Sequence, residues 1–349
     1  MMKAFLYREA GAAWKLEDVA DVEPGPREVV VRTEAAGVCG TDVHYRFGRI
    51  KPKVTPLIPG HEIAGSVVAV GGEVIDVAVG DRVCVHYIVS CGQCKHCDAG
   101  HDNRCRRRRS IGTHLDGGFA EYVVVPGRNA FKLPENVSSE EGAVIGCAVA
   151  TAYHALQIAG FAAGDSVAVY GLGGVGMQVV KWARCLGASL VVATDIADEK
   201  LSMAREFGAD VVLHSVRETP HQRIHSLTDG YGIELAFECS GHPDCMRDAL
   251  RSIHGKSGYE SGKLVGVAAY LDSLVLDEPG LFREGAFLRS GDHTRQELRE
   301  IIELVSAGRY NVNDTITHRF AFTEIERPLA LLERKEGQVI RAVLEGSIK

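Results

Sequence analysis

Near the middle of the chain, five residues suited to a buried strand, Ser166-Val167-Ala168-Val169-Tyr170, run straight into Gly171-Leu172-Gly173-Gly174-Val175-Gly176. A helical pattern follows over about Val175 to Leu186, and then a second short apolar run, Leu190-Val191-Val192-Ala193-Thr194. Such runs are typical of strands covered on both faces of a parallel sheet. Parallel strands need a crossover between them, and the helix supplies it. The alternation continues with a helix over about Glu199 to Phe207 and runs at Val211-Val212-Leu213, Leu235-Ala236-Phe237 and Leu264-Val265-Gly266-Val267. From about residue 150 the chain is therefore predicted to form βαβ units with a parallel sheet, an α/β pattern.

In that setting the glycines of the loop have separate tasks. Gly171 permits the tight turn, Gly173 lets the backbone approach a pyrophosphate, and Gly176 allows close packing of helix on strand. The helix start offers unpaired N–H groups and the positive end of its dipole to phosphates. Asp195 ends the next strand 19 residues after Gly176, where an acid can accept hydrogen bonds from a ribose diol. Ile196 and Ala197 follow it rather than an arginine, and a carboxylate repels a 2′-phosphate. The pattern favours NAD(H) over NADP(H). The competing reading is a structural glycine turn with Asp195 capping the next helix.

The 349 residues correspond to about two domains at roughly 150 residues each. The first third differs in character, with β-branched runs at Val29 to Val31, Ser66 to Val70, Arg82 to Val85 and Tyr122 to Val125. Turn signals such as Pro24-Gly25-Pro26 and Pro59-Gly60 separate them, an all-β pattern with many loops. The C-terminal part holds an amphipathic helix, about Arg295 to Ala307, and short strands near Ile316 to Phe320 and Val339 to Leu344. An apolar share of 46% excludes disorder as the main state. A formal charge of −7 gives no reason to expect nucleic acid or an anionic membrane as partner. No stretch approaches the ~20 uninterrupted apolar residues of a membrane helix. Met1-Met2-Lys3-Ala4-Phe5 opens no signal-peptide apolar core, so the expected location is the cytoplasm.

In that compartment thiols stay reduced, which sharpens the meaning of ten cysteines. Cys91, Cys94, Cys97 and Cys105 fall within 15 residues, as Cys-x-x-Cys-x-x-Cys-x7-Cys. Four thiolates so spaced can wrap one tetrahedral Zn²⁺ closed to water, a structural geometry. His96 and His101 could compete as ligands, but four cysteines already fill the site. The adjoining basic run, Arg106 to Arg109 with Arg104, reads as solvated or subunit-contact surface. A second constellation is dispersed: Cys39-Gly40-Thr41-Asp42-x-His44, then Gly60-His61-Glu62, then Cys147. A catalytic zinc needs about three protein ligands and one open position, and Cys39, His61 and Cys147 could supply them.

Gly60-His61-Glu62-x-x-Gly65-x5-Gly71-x-x-Val74, with Cys39-Gly40-Thr41-Asp42 upstream and the four-cysteine lobe downstream, resembles the zinc-dependent alcohol dehydrogenases of the medium-chain dehydrogenase/reductase family. Motif order and spacing match from about residue 24 to residue 200. The resemblance implies a GroES-like β-rich catalytic domain, residues 1–149 and 288–349 with a structural zinc lobe at about 88–110. A Rossmann NAD-binding domain with a doubly wound parallel sheet, residues 150–287, is inserted between. It implies Cys39, His61 and Cys147 as catalytic zinc ligands and Glu62 as a carboxylate that can exchange onto the metal. Asp42 then orients the ligand histidine, Thr41 bonds the substrate oxygen, and His44 ends a proton relay through the cofactor ribose. Lys200 implies an adenine-ribose contact beside Asp195, Arg341 a pyrophosphate contact and Thr151 a nicotinamide-side contact. Val175 implies packing on the nicotinamide ring, and Val265-Gly266-Val267 the backbone that bonds the carboxamide. By rough alignment Tyr87, Phe119, Tyr45 and Phe47 are pocket walls. The segment from Gly285 to Asp292 follows the family pattern less closely.

The activity so implied is reversible hydride transfer between a primary or secondary alcohol and NAD, with two zinc ions per chain. The alternative on the same fold is a zinc-dependent polyol or sugar dehydrogenase; those enzymes often have glutamate near the place of Cys147. A non-catalytic member that keeps only the fold predicts loss of the ligand set, which is present in full. A homo-oligomer is also implied, a tetramer or a dimer.

Overall fold

The computed structural model describes residues 1–253, 262–269, 285–334, 338–346 and 348. They fall into two compact units, Met1–Ala150 together with His293–Lys349, and Thr151–Asp292.

The first unit is built on one long strand, Glu28–Val38. It pairs antiparallel with Glu62–Val70, Tyr122–Pro126 and Arg341–Glu345. Arg82–Val85 and Ala130–Lys132 extend the sheet on one side and Ile316–Ala321 on the other, giving seven strands. The register sets Gly37 opposite both Glu62 and Val343. A side chain at position 37 would collide with the Glu62 carboxylate, so glycine in mid-strand clears space for a buried acid. Two short antiparallel pairs stand apart, Met2–Leu6 with Lys15–Val19 and Ile88–Val89 with Arg109–Ser110. One apolar cluster gathers Phe5, Trp14, Tyr45, Phe119 and Phe322; another gathers Val29, Ile63, Val83, Ile111 and Cys147.

The second unit carries the expected parallel sheet. All five residues of Ser166–Tyr170 are buried, as a strand covered on both faces must be. From one edge the strands run Val211–His214, Leu190–Asp195, Ser166–Tyr170, Leu235–Glu238, Lys263–Gly266 and Ala286–Arg289, every neighbour parallel. In order of appearance that is 3-2-1-4-5-6, the doubly wound order whose direction reverses between the first and fourth strands. The glycine loop leaves the first of these strands at that switch point.

One helical stretch among the described residues, Ser139–Ala159, has the length and apolarity to cross a membrane, but 83% of its apolar window is buried within the protein.

Candidate metal centre and dinucleotide site

Three separate pieces of backbone bring the dispersed ligands together. Cys39 follows the long strand and begins the helix Gly40–Arg46, its N–H donating to Asp42 Oδ2 at 2.9 Å. His61 stands immediately before the strand Glu62–Val70. Cys147 lies in a π-helical turn, Ile145–Val149, set into the stretch that links two α-helices. Such turns insert a residue into the helix, re-aim its side chains and recur at functional sites. Ligand atoms of Cys39, His61, Glu62 and Cys147 lie within 4.8 Å of one another, and three of the four residues are buried.

The electrostatics suit a cation. Within the cysteine pair the bond from Cys147 holds the Cys39 thiol well below its ordinary range, His61 adding to this against burial; the same bond and burial push Cys147 up. Burial disfavours the His61 imidazolium, but the Asp42 carboxylate and Cys39 outweigh it and raise His61 to about 10. Burial lifts Asp42 to about 7. Asp42 Oδ1 is 3.9 Å from His61 Nδ1, which leaves Nε2 as the nitrogen free to face a metal. Asp42 Oδ1 and Glu62 Oε1 are buried without a hydrogen-bond partner. Two sulfurs, an imidazole and an orphaned carboxylate oxygen form a donor set that fits zinc.

The same centre also holds Arg341, the residue that the resemblance places on pyrophosphate. Its guanidinium is buried and donates to Glu62 Oε2, with side-chain exposures of 4% and 0%. It is therefore fastened beside the metal ligands, and its charge is already matched.

The four-cysteine lobe is tighter. Cys94 Sγ is 3.6 Å from Cys97 Sγ and 3.9 Å from Cys105 Sγ, and Cys91 Sγ is 3.9 Å from Cys97 Sγ. Zinc–sulfur bonds of about 2.3 Å in a tetrahedron put sulfurs roughly 3.8 Å apart. The spacing fits that ion and is far too long for disulfides. The backbone N–H of Gln93 is the main cause holding Cys91 at about 6, while burial pushes Cys105 up to about 11.

In the second unit Gly171 adopts φ +92°, and a β-carbon there would press on Ser240. One at Gly176 would run into the Gly171 carbonyl, whereas at Gly173 nothing lies within 4 Å. The first and third glycines are thus packed and the second open, as a backbone that receives a phosphate requires. Gly174 and Val175 complete the turn and are partly exposed. Asp195 Oδ2 accepts from Leu172 N at 2.7 Å, and Oδ1 accepts from Ile196 N and Ala197 N at 2.8 and 3.1 Å. The next helix, Asp198–Glu206, begins after Ala197 and has no side-chain cap, so Asp195 ties the glycine loop to its strand rather than capping that helix. Val265 is buried in the sheet, and Val267 N donates to Glu238 O at 2.8 Å. Lys200 and Thr151 are partly exposed. Sequence reasoning missed Glu238, a buried acid at a strand end that accepts from Ser240 N (2.8 Å) and Gly241 N (3.0 Å) and so fixes the loop facing Gly171. Its position at the carboxyl end of a central strand was the available signal.

Thr41 and His44 lie one turn apart on one helix, both partly exposed. Burial holds His44 below its ordinary range, Arg49 assisting; Arg49 Nη1 lies 3.4 Å from its Nδ1. The four aromatic residues separate. Tyr87 meets the His61 ring edge-on at 5.1 Å and so belongs to the metal centre. Phe119 is fully buried against Trp14, and Tyr45 is buried with its hydroxyl 3.1 Å from Thr113 Oγ1. Phe47 is 37% exposed beneath the Arg46 guanidinium. Phe119 and Tyr45 thus pack into one apolar cluster, while Phe47, just past the helix end, lies at the surface.

Similarity to known proteins gives the family. Residues 25–135 match the family model described as alcohol dehydrogenase GroES-like domain, and residues 174–307 the one described as zinc-binding dehydrogenase. An alcohol dehydrogenase of Geobacillus stearothermophilus is 35% identical over 88% of this chain and 89% of its own length. An L-threonine 3-dehydrogenase of Symbiobacterium thermophilum is 33% identical over 100% of this chain and 99% of its own. The crystal structure of a zinc-binding dehydrogenase from Sinorhizobium meliloti 1021 bound to NADP superposes with a TM-score of 0.89 at 31% identity, covering 99% of each chain.

Proposed function

This chain belongs to the zinc-dependent dehydrogenases of the medium-chain dehydrogenase/reductase family, and from that premise we propose that it transfers hydride between a primary or secondary alcohol and NAD. The observation that carries the reading is the convergence of Cys39, His61, Cys147 and Glu62 within 4.8 Å. Zinc and the nicotinamide, when bound, supply polarisation of a substrate oxygen and a two-electron hydride acceptor. The chain's own residues do the rest. Cys39, His61 and Cys147 hold the metal, and Asp42 keeps the His61 ring turned by facing its Nδ1. The Thr41 hydroxyl takes the alcohol proton as it passes its own outward toward His44. His44, kept neutral near pH 7 by burial and Arg49, is the base at the outer end of that path. Cys91, Cys94, Cys97 and Cys105 hold a second zinc that fixes the lobe. Two zinc ions per chain and a homo-oligomer, tetramer or dimer, complete the proposal.

Cys147 at a place where polyol dehydrogenases often carry glutamate supports a simple alcohol over a polyol. Rates with ethanol, benzyl alcohol, a secondary alcohol, sorbitol and L-threonine, each with NAD and NADP on metal-verified protein, test the reading. Preference for sorbitol or L-threonine overturns the substrate class, and no oxidation of any alcohol overturns the activity.

Two variants probe finer parts of the site. Asp195→Asn keeps a hydrogen-bonding side chain but removes the charge that repels a 2′-phosphate. It is expected to lower kcat/KM with NAD about tenfold, the worth of a hydrogen bond to a charged group, and to raise it with NADP. An unchanged ratio of the two cofactors removes Asp195 from cofactor choice. His44→Ala should slow turnover by about tenfold or more at pH 6 and progressively less toward pH 9, as hydroxide replaces the missing base. A loss equal at all pH values would assign His44 a structural role instead.

A further inference from the structure

The arginines beside the four-cysteine lobe take no part in this chemistry, yet charge is distributed unevenly around them. Residues 91–109 hold six lysine or arginine side chains and two aspartates, a surplus of four in a chain of net charge −7. The remainder of the chain therefore stands at −11, that is −7 − 4. Compensation of the thiolates explains only part of the surplus. Four thiolates around Zn²⁺ carry a charge of about −2, and Arg107 donates to the Cys91 sulfur. About two positive charges are left over on the lobe.

The structure also sorts the arginines by what they do. Arg108 donates to Asn103 O and Arg109 to His114 O, both at 2.9 Å, so these two bind the lobe's own backbone. Lys95, Arg104, Arg106 and Arg107 are exposed. No carboxylate among the described residues forms an ion pair with any of these four. The charges of Lys95, Arg104 and Arg106 all bear on His96, which places them around one spot. There a cavity of about 220 Å³ is lined by Lys95, His96, Arg106 and Arg107, with Cys94 in its wall.

Cations held together without counter-charge repel one another, and an anion among them relieves the repulsion. The size of the cavity narrows the anion. At about 30 Å³ per water it holds the equivalent of roughly seven waters, enough for one phosphate group and a short attachment. It is smaller than the ~300–1,000 Å³ of sites that enclose whole cofactors. The Arg106 guanidinium, the N–H groups of Arg107 not taken by its sulfur, a lysine and an imidazole match a tetrahedral oxyanion better than a single carboxylate. We propose that this face of the cysteine lobe binds a phosphate dianion, free or as the end group of a phosphomonoester.

The test compares the full-length, zinc-loaded protein with two double variants by calorimetric titration at low salt, using inorganic phosphate, glycerol 3-phosphate and a single-stranded oligonucleotide. Arg104→Gln/Arg106→Gln removes two charges from the lobe but leaves Arg107 on its sulfur. Arg8→Gln/Arg27→Gln removes the same charge elsewhere. Phosphate taken up by the glycine loop is common to all three proteins and drops out. Binding at least tenfold weaker in the lobe variant, with the control variant, zinc content and alcohol oxidation unchanged, supports the site. Equal affinity for the two phosphates then identifies free phosphate as the ligand, and tighter glycerol 3-phosphate a phosphomonoester. Unchanged affinity in the lobe variant, or equal weakening in both variants, overturns the proposal. So does an oligonucleotide that binds through the same arginines more than tenfold more tightly than phosphate, which assigns the patch to nucleic acid.

Discussion

Cys39→Ser is expected to abolish measurable alcohol oxidation while NADH still binds and the fold is kept. Serine at this position remains a good cap for the helix Gly40–Arg46, better than the cysteine it replaces, so the helix loses nothing. What goes is a thiolate in a soft donor set, since a serine hydroxyl does not ionise near neutral pH and is a poor zinc ligand. Loss of the polarising cation removes several kcal/mol of transition-state stabilisation, about three orders of magnitude or more in rate. Metal analysis should fall from two zinc ions per chain to one, the survivor held by Cys91, Cys94, Cys97 and Cys105. His61→Ala should behave likewise. Turnover within about tenfold of the parent in either variant refutes the assignment of these ligands. Wild-type protein with a single zinc would leave only the structural site and favour a non-catalytic member of the fold.

The residues that made this prediction available were legible for different physical reasons. The parallel sheet announces itself through five-residue apolar runs, because a strand buried on both faces cannot afford polar alternation; Ser166–Tyr170 is such a strand. The helices Pro220–Leu227 and Pro243–Ser252 are hidden in the sequence, since proline interrupts most patterns and yet suits the first turn of a helix. The cysteine lobe was legible because all four ligands are local in sequence. The dispersed centre was not so by spacing alone: Cys39 and Cys147 meet only through the sheet and a π-helical turn, and resemblance supplied the link. Glu62 stands ahead of the apolar run Ser66 to Val70 and is the first residue of a nine-residue strand, its carboxylate admitted by Gly37 across the ladder. Register decides such contacts, and register is set by tertiary pairing. The aromatic residues show the same limit, since Tyr45 and Phe47 leave one short helix toward the core and the surface respectively.

Arg341→Met is expected to be the most destabilising single change in the catalytic unit, and the double variant Glu62→Gln/Arg341→Met to recover most of the loss. The two side chains are 4% and 0% exposed, and Glu62 Oε1 already lacks a partner. Removing the guanidinium leaves a buried carboxylate beside the Cys39 thiolate without the chief charge that offsets it, His61 being the lesser one. Breaking one side of a buried ion pair typically costs about 3–5 kcal/mol, whereas replacing both sides by neutral groups is often close to neutral. For a body of about 200 residues each kcal/mol moves Tm by roughly 2–4 °C, so a fall of the order of 10 °C is expected for the single variant. The metal centre should register the change too, because Arg341 helps to hold the Cys39 thiol low. Zinc affinity at that centre should drop by about 10–100-fold, the usual effect of losing a group that supports a ligand. A double variant as unstable as Arg341→Met would place the cost in lost packing of the arginine stem. In that case the charge pair is not what steadies the long strand against its neighbours.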